Sequence, residues 1–248
     1  MKLSNQKILI TGGGTGIGFA IAKLLHGLGN DVLICSRKPQ NLQKAARQTP
    51  GIKYTVCDIT NEAHIKNLIE IVYREIGGIT MLINNAGIAS FYDMNNGTMY
   101  SNARREIETN YLGLIHLTET FLPILKQQHE AAIINISSAT AIVPHQRIPT
   151  YSASKAAVQL FGESLRRALS ESSVKIFNVL APLVDTAFSK EQFGVKKISP
   201  EAVAQALIKG LRRNVYEIYV DDVKALHLIH RLVPNVAQRI MDKRIQSQ

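Results

Sequence analysis

Tryptophan is absent, and cysteine nearly so, with two in 248 residues. Two cysteines cannot knit a chain of this length into a disulfide scaffold, and without a CxxC pair they make no structural zinc site. Their scarcity suits a reducing compartment, so a cytoplasmic location is expected. Long apolar runs are also missing. The first, Ile8 to Ile10, is short, and no later stretch approaches the ~18 residues of a bilayer span, so neither a signal peptide nor a transmembrane segment is expected. With 46% apolar and 19% charged residues the chain has the makeup of a folded protein, which excludes a disordered one.

No block of the sequence is a polybasic tail, although the formal net charge is +10. A basic excess admits nucleic acid, phosphate ligands and anionic membrane surfaces as partners. Arginine doublets at Arg104 and Arg105, Arg166 and Arg167, and Arg212 and Arg213 fall on helical stretches and read as solvated faces. Basic and aromatic residues do not interleave as they do in single-strand binders, so no nucleic-acid partner is expected.

Short β-branched runs are what the chain does have, and they alternate with amphipathic segments. The runs are Lys7 to Thr11, Val32 to Cys35, Ile52 to Cys57, Met81 to Asn84, Ala131 to Ile136, Val174 to Leu180 and Val215 to Val220. Between them lie stretches of helical period such as Gly16 to Leu28 and His64 to Ile76. Strand and helix in alternation predict an α/β fold: a Rossmann-like, doubly wound parallel sheet of about seven strands with helices on both faces. No repeat, linker or change of composition divides the chain. One domain over 1–248 is expected, with a core to 220 and a helical tail over 221–248. Ser4 to Gln6 and Ile245 to Gln248 look frayed.

Strand one runs into Thr11, Gly12, Gly13, Gly14, Thr15, Gly16, Ile17 and Gly18 and then a helix. Glycines let the backbone turn through positive φ and bring a pyrophosphate close to main-chain N–H groups at a helix N-terminus. The context predicts a dinucleotide site. Strand two is followed by Ser36, Arg37 and Lys38, where NAD sites usually carry a carboxylate for the ribose 2′-hydroxyl. Arg37 instead offers a permanent charge and a fork of donors to a 2′-phosphate, so NADP(H) is favoured over NAD(H). Thr15 stands where many NADP-dependent proteins carry a further basic residue.

The GxxxGxG spacing of Gly12, Gly16 and Gly18 resembles the single-domain branch of the short-chain dehydrogenase/reductase family. The resemblance spans about Lys2 to Val220. It implies that Asp58 and Ile59 after strand three meet the adenine, and that Asn85, Ala86 and Gly87 in the Asn-Asn-Ala-Gly stretch line the adenosine ribose. Thr186 is the counterpart of a threonine that contacts the nicotinamide carboxamide. The Pro-Gly expected before it is replaced by Ala181-Pro182 or Pro182-Leu183. Both ends of the chain also resemble dehydrogenases found beside cell-wall D-alanylation genes, a likeness that identifies no substrate.

Tyr151 and Lys155 stand at i and i+4 near the start of a helix running to about Ala168, so both project from one face. A phenol ionises near pH ~10, and work as an acid/base near neutrality requires its anion to be stabilised by roughly 4 kcal/mol. A lysine ammonium and an oxidised nicotinamide together suit that need. Ser138, at the end of strand five, puts a hydroxyl at the carboxyl edge of the sheet, where open α/β folds bind ligands. In the family this serine lies thirteen positions before the tyrosine, as it does here. Asn110, followed by Gly113, resembles the family asparagine that carries a water linking the lysine to solvent.

The resemblance therefore implies hydride transfer between NADP(H) and a small-molecule carbonyl or secondary alcohol. Asn110, Ser138, Tyr151 and Lys155 are its catalytic group, no metal is involved, and a homodimer or homotetramer is the expected assembly. The competing reading is a non-catalytic, dinucleotide-sensing scaffold on the same fold. Cys35 and Cys57 read as core, and His227 and His230 lack the partners of a metal site. His145 is a candidate substrate neighbour. Phe188, Phe193 and Lys196 are specificity candidates in a lid running from Thr186 to Ile198. The apolar tail is expected to dock on the protein or on a second subunit, with contact to a membrane surface as the alternative.

Overall fold

Alternation inside each apolar run sends successive side chains to opposite faces of a sheet, and here both faces are covered. The computed structural model describes residues 1–92, 96–189 and 197–244. Its elements follow in the order β1 (Lys7–Thr11), α1 (Gly16–His26), β2 (Asp31–Ser36), α2 (Pro39–Gln48), β3 (Lys53–Val56), α3 (Glu62–Ile76), β4 (Met81–Asn84) and α4 (Met99–Ile107). Then come α5 (Gly113–Lys126), β5 (Ala131–Ser138), α6 (Pro149–Ala168), β6 (Val174–Ala181), α7 (Pro200–Arg212), β7 (Glu217–Tyr219), α8 (Val223–Leu232) and α9 (Pro234–Arg244). All seven strands pair in parallel in the order β3-β2-β1-β4-β5-β6-β7. The order reverses between β1 and β4. That reversal opens a crevice at the carboxyl ends of the strands.

Ile8, Ile10, Ile34, Ile83 and Ile134 face one side, against Ile21 and Leu25 of α1 and Leu207 and Leu211 of α7. Leu9, Leu33, Leu82 and Ile133 face the other, against Leu68 of α3 and Leu117 and Phe121 of α5. Each such aliphatic side chain contributes roughly 1.5–3 kcal/mol by leaving water. Helix ends follow from local chemistry. The Asn61 side chain accepts from His64 N–H to start α3, and Gly77 at φ 68° ends it.

A polar ladder crosses this apolar sheet in register. Asn84, Asn135, Asn178 and Glu217 are successive partners on β4, β5, β6 and β7. Asn84 donates to Asn135 at 3.0 Å, Asn135 to Asn178 at 3.2 Å, and Asn178 to Glu217 at 3.3 Å. Glu217 is held in turn by Arg166 at 2.5 Å and Gln159 at 2.6 Å. Because a slip of one residue would strand each buried amide without a partner, the ladder specifies strand pairing.

Three expectations need correction. Ser4 to Gln6 do not fray: Leu3 is buried, Gln6 N–H donates to the Asn30 side chain at 2.8 Å, and the N-terminal ammonium donates to Leu211 O at 3.1 Å. Arg166 is no solvated face either, since besides Glu217 it donates to Ile176 O at 2.9 Å. β7 is shorter than the apolar run that predicts it, leaving Val215 and Tyr216 exposed.

The tail folds back as α8 and α9, where Leu226, Ala237 and Met241 pack on Ala139, Val143 and Leu180. Its docking on the protein is as expected, although Leu228, Leu232, Val233 and Val236 stay exposed. Ile245 to Gln248 lie outside the described residues. Among the described residues no helix is long and apolar enough to cross a membrane.

Gly162 of α6 makes room for the ladder, because a Cβ there would lie 2.1 Å from Asn178 Oδ1. Gly162→Ala should therefore destabilise the protein by about 1–3 kcal/mol through overpacking. The measurement is a urea unfolding curve, with a lower midpoint and an unchanged slope expected.

Candidate active site

The crevice at the switch point is a cavity of about 690 Å³. Its floor at one end is the turn from β1 into α1, where Gly12 and Gly16 take φ values of +64° and +56°. Thr15 precedes α1 without a capping bond from its side chain, which leaves the first-turn N–H groups for a ligand. Gly12, Gly14, Thr15, Gly16 and Ile17 all line the cavity. Gly18 does not; a Cβ there would meet Gly12 O at 2.5 Å, so this glycine serves packing of the turn.

Asn85, after β4, is wired to the same turn. Its side chain donates to Thr11 O at 2.8 Å and Gly12 O at 3.2 Å, while the Thr11 hydroxyl accepts from the N–H groups of Asn85 and Ala86, each at 3.0 Å. Asn85, Ala86 and Gly87 line the cavity.

Beyond the glycine turn the wall is formed by Ser36, Arg37, Lys38, Asp58 and Ile59. Ser36 Oγ is buried without a hydrogen-bond partner, a donor and acceptor directed at nothing in the protein. One oxygen of Asp58 accepts from the N–H and hydroxyl of Thr60 at 3.0 and 2.8 Å, and the other is left over for a ligand. The glycine cradle and the orphaned serine fit a nicotinamide dinucleotide. Cys35 and Cys57 line this stretch of the cavity from buried positions. The hydrogen bond that Cys35 gives to Cys57, together with burial, pushes the Cys35 thiol well up, so it stays protonated.

At the other end of the cavity stand Ser138, Tyr151 and Lys155. β5 ends at Ser138, and α6 brings Tyr151 to face it. Thr140 donates to Ser138 Oγ through both its N–H, at 3.2 Å, and its hydroxyl, at 3.0 Å. With both lone pairs occupied, Ser138 has its proton to give, and it lowers the proton affinity of Tyr151. Burial outweighs that effect and pushes Tyr151 up to about 12. Lys155, 5% exposed, donates to Ile136 O at 2.8 Å, with its Nζ 5.8 Å from the Tyr151 ring centre. Burial brings its ammonium down to about 8. The protein alone thus opposes the tyrosinate. Lysine by itself does not deliver the anion, and a cationic ligand beside both groups is what would reverse the balance.

Asn110 lies one layer behind, in a π-helical turn (Glu108–Leu112) between α4 and α5. Such turns are frequent at functional sites. Its side chain accepts from Ile88 N–H at 2.8 Å and donates to Ile88 O at 2.8 Å and Ser154 Oγ at 2.9 Å. It does not line the cavity.

An apolar stretch of the wall is formed by Ile88, Ile148, Leu183, Val184, Ala187 and Phe188, whose ring lies 5.8 Å from that of Tyr151. Thr186 sits over the glycine turn, its methyl 3.0 Å from where a Gly16 Cβ would be. Met241 and Arg244 of α9 close this end, and Arg244 is held by both oxygens of Asp222 at 3.1 and 2.5 Å. His145 is a correction: it is buried away from the cavity, where its Nδ1 accepts from Arg147 N–H at 3.2 Å. Phe193 and Lys196 lie outside the described residues. Among the described residues no cluster could hold a metal, and His227 instead meets the Tyr219 hydroxyl at 2.8 Å.

Residues 6–196 match the family model for short chain dehydrogenases. The chain belongs to the short-chain dehydrogenase/reductase family. It is 36% identical over 233 residues to the uncharacterized oxidoreductase DltE of Bacillus subtilis, covering 91% of this chain and 92% of that one. An uncharacterized oxidoreductase of Staphylococcus aureus is 31% identical over 231 residues, covering 89% and 99%. A short chain dehydrogenase from Burkholderia cenocepacia, solved in complex with NADP, superposes with a TM-score of 0.85 at 26% identity over 97% of this chain and 99% of that one. A family member from Burkholderia phymatum, in complex with NAD, superposes at 0.83 with 19% identity over 94% and 96%, a likeness of fold alone.

Thr11, Thr140, Met241 and Arg244 were not legible as site residues. The first two act through groups next to them in space. The last two come from a tail that lies outside the matched segment of the family.

The depressed Lys155 makes a stability prediction. Between pH 8 and about 10.5 the unfolded chain holds a proton that the folded one has lost, so stability from this group rises with pH. Lys155→Met removes the penalty of burying the charge. Its stability relative to wild type should therefore be most favourable at pH 7 and lose ground steadily towards pH 10, as read from urea midpoints.

Proposed function

We propose that this protein is an NADP(H)-dependent oxidoreductase that interconverts a small-molecule carbonyl and a secondary alcohol, acting in the cytoplasm as a homodimer or homotetramer. The observation that carries the reading is the meeting of Ser138, Tyr151 and Lys155 at one end of a cavity whose other end is the glycine turn. We take residues 1–248 as one working unit, with the core to 220 and the tail closing the substrate end.

A bound nicotinamide dinucleotide supplies or accepts hydride. Gly12, Gly14, Thr15, Gly16 and Ile17 would hold its phosphates, with Ser36 and Arg37 on the adenosine ribose, Asp58 and Ile59 on the adenine edge, and Thr186 on the carboxamide. Asn85, Ala86 and Gly87 would border the ribose, and Gly18 would keep the turn closed. Ser138, its lone pairs filled by Thr140, would donate to the substrate oxygen where negative charge grows. Tyr151 would hand its phenolic proton to that oxygen in reduction and recover it in oxidation. Lys155 would bind the nicotinamide ribose and lower the cost of the tyrosinate, and Asn110 would complete a proton relay by holding a water that links the lysine to solvent. The apolar wall with Phe188 and Met241 suits a substrate whose carbonyl is attached to hydrocarbon.

The preference for NADP(H) rests on Arg37 and on the lack of a carboxylate after β2. The NADP bound by the Burkholderia cenocepacia relative supports it.

NADPH oxidation followed across ketones, aldehydes, quinones and keto sugars tests the activity. Tyr151→Phe should lower kcat by about 100- to 10,000-fold on any substrate found and leave the coenzyme Kd within a few fold; unchanged turnover would remove the assignment. Arg37→Asp should weaken NADPH about 10- to 100-fold while sparing NADH, as charge-assisted bonds to a phosphate require. Equal losses, measured by calorimetry, would place phosphate recognition elsewhere.

A further inference from the structure

Four aliphatic side chains of the tail remain in water, although the core takes others from the same two helices. Val223 and Leu226 of α8 and Ala237 and Met241 of α9 pack on Ala139, Val143 and Leu180. Leu228 and Leu232, one turn apart on α8, Val233 at the corner and Val236 on α9 stay exposed, Leu232 by 79%. Residues 231–236, which turn the chain from α8 into α9 through Pro234, form an unbroken exposed stretch. Single apolar residues on a surface are ordinary, but four gathered at one helical corner mark a site of interaction. The charge around the corner is of one sign. From Val223 to Met241 the chain carries Lys224, Arg231 and Arg239 and no Asp or Glu. All three are exposed, and none forms an ion pair among the described residues. The carboxylates that bound the stretch are engaged elsewhere, Asp222 with Arg244 and Asp242 with Gln238 at 3.1 Å. Glu163 and Glu217, whose charges reach His227 of α8, accept from Gln159.

We propose that the corner between α8 and α9 is a membrane-surface site, in which Leu228, Leu232, Val233 and Val236 enter the headgroup boundary of an anionic bilayer while Lys224, Arg231 and Arg239 meet its phosphates. Interfacial helices of this kind combine an apolar face with cations beside it. Arginine and lysine suit the flanks, because their long stems lie along apolar surface while their charged heads stay at the phosphates. The negative potential of such a surface attracts each cation and falls off within a Debye length, so the groups at the corner are the ones that take part. A second copy of the chain fits the same corner poorly. In a two-fold contact the patch would face itself and bring Arg231 and Arg239 against their own images. A stretch of this size also supplies few of the about 20–30 residues a side that a stable protein interface uses.

The lack of tryptophan makes the test direct. Leu232→Trp puts a single indole at the corner, and its emission should move to the blue with vesicles of mixed phosphatidylglycerol and phosphatidylcholine and stay unmoved with phosphatidylcholine alone. Wild-type protein should sediment with the anionic vesicles at about 0.1 M salt, where charges act over about 10 Å, and largely leave them at about 1 M, where the range falls to about 3 Å. Leu232→Ser combined with Val233→Ser removes the apolar corner without altering the charge and should lower vesicle affinity about 10-fold or more. Arg231→Gln combined with Arg239→Gln should lower it about 25-fold, roughly fivefold for each cation. An unchanged thermal midpoint checks that these exposed pairs leave the fold intact; should either fail to fold, the indole decides alone. An indole that stays in water, or sedimentation undiminished in the serine pair, would overturn the proposal, since binding would then come from the general +10 charge or not occur. A wild-type oligomer in solution that falls apart in the serine pair would overturn it too, because a second copy would then cover the corner. These readings involve neither coenzyme nor turnover, so they hold whatever the oxidoreductase assays return.

Discussion

A lysine ammonium inside a protein is the constraint around which the chemical end of this cavity is arranged. Lys155 is almost wholly removed from water, and a single carbonyl, that of Ile136, stands in for its hydration shell. Burial at this level disfavours the charged form, and the direction of its shift agrees. The neighbours follow from the need to fit that group. A Cβ on Gly87 would make a tight contact of 3.2 Å with Asn110 Oδ1 and come to 3.4 Å, ordinary contact distance, from Lys155 Nζ. The π-helical turn brings Asn110 inward to hold Ile88 by both backbone groups, and so sets the path of the segment that walls the cavity.

The sheet supplies rigidity for this arrangement. β5 is buried along its length and pairs with β6 over eight residues, so Ser138 and the Ile136 carbonyl sit on a strand held from both faces. The ladder of Asn84, Asn135, Asn178 and Glu217 locks the register of the four strands that carry the chemical end. A site on strands and helices is held more closely than one on loops. The nucleotide end uses another device, in which Thr11 and Asn85 staple the glycine turn to the end of β4 across the point where strand order reverses.

Much of this was legible from periodicity. The strands fell on the apolar runs, and α6 began and ended within a residue or two of its expected limits, because patterning at periods of 2 and 3.6 survives in any environment. The glycine turn and the Tyr151 and Lys155 pair were readable because spacing along one turn or one helix is local geometry, whereas Ser138 was read from its place at a strand end and from the family resemblance. Where local reasoning failed, a distant partner had intervened. Arg166 looks solvated on its helix, yet Glu217 of β7 takes it up. Ser4 to Gln6 looks like a loose end, yet Asn30 of the segment before β2 holds it. His145 lies between two site residues in sequence, yet it is buried in a loop whose Pro144 carbonyl accepts from Gln238 of α9.

By itself the sequence determined the fold class, the glycine turn and the one-turn spacing of tyrosine and lysine, since each depends only on residues near one another in the chain. The tertiary structure alone decided that Thr140 fills the lone pairs of Ser138 and that Met241 and Arg244 of α9 line the cavity. The reason is physical: desolvation and hydrogen-bond pairing depend on which distant segments exclude water from a group, and no local pattern encodes that.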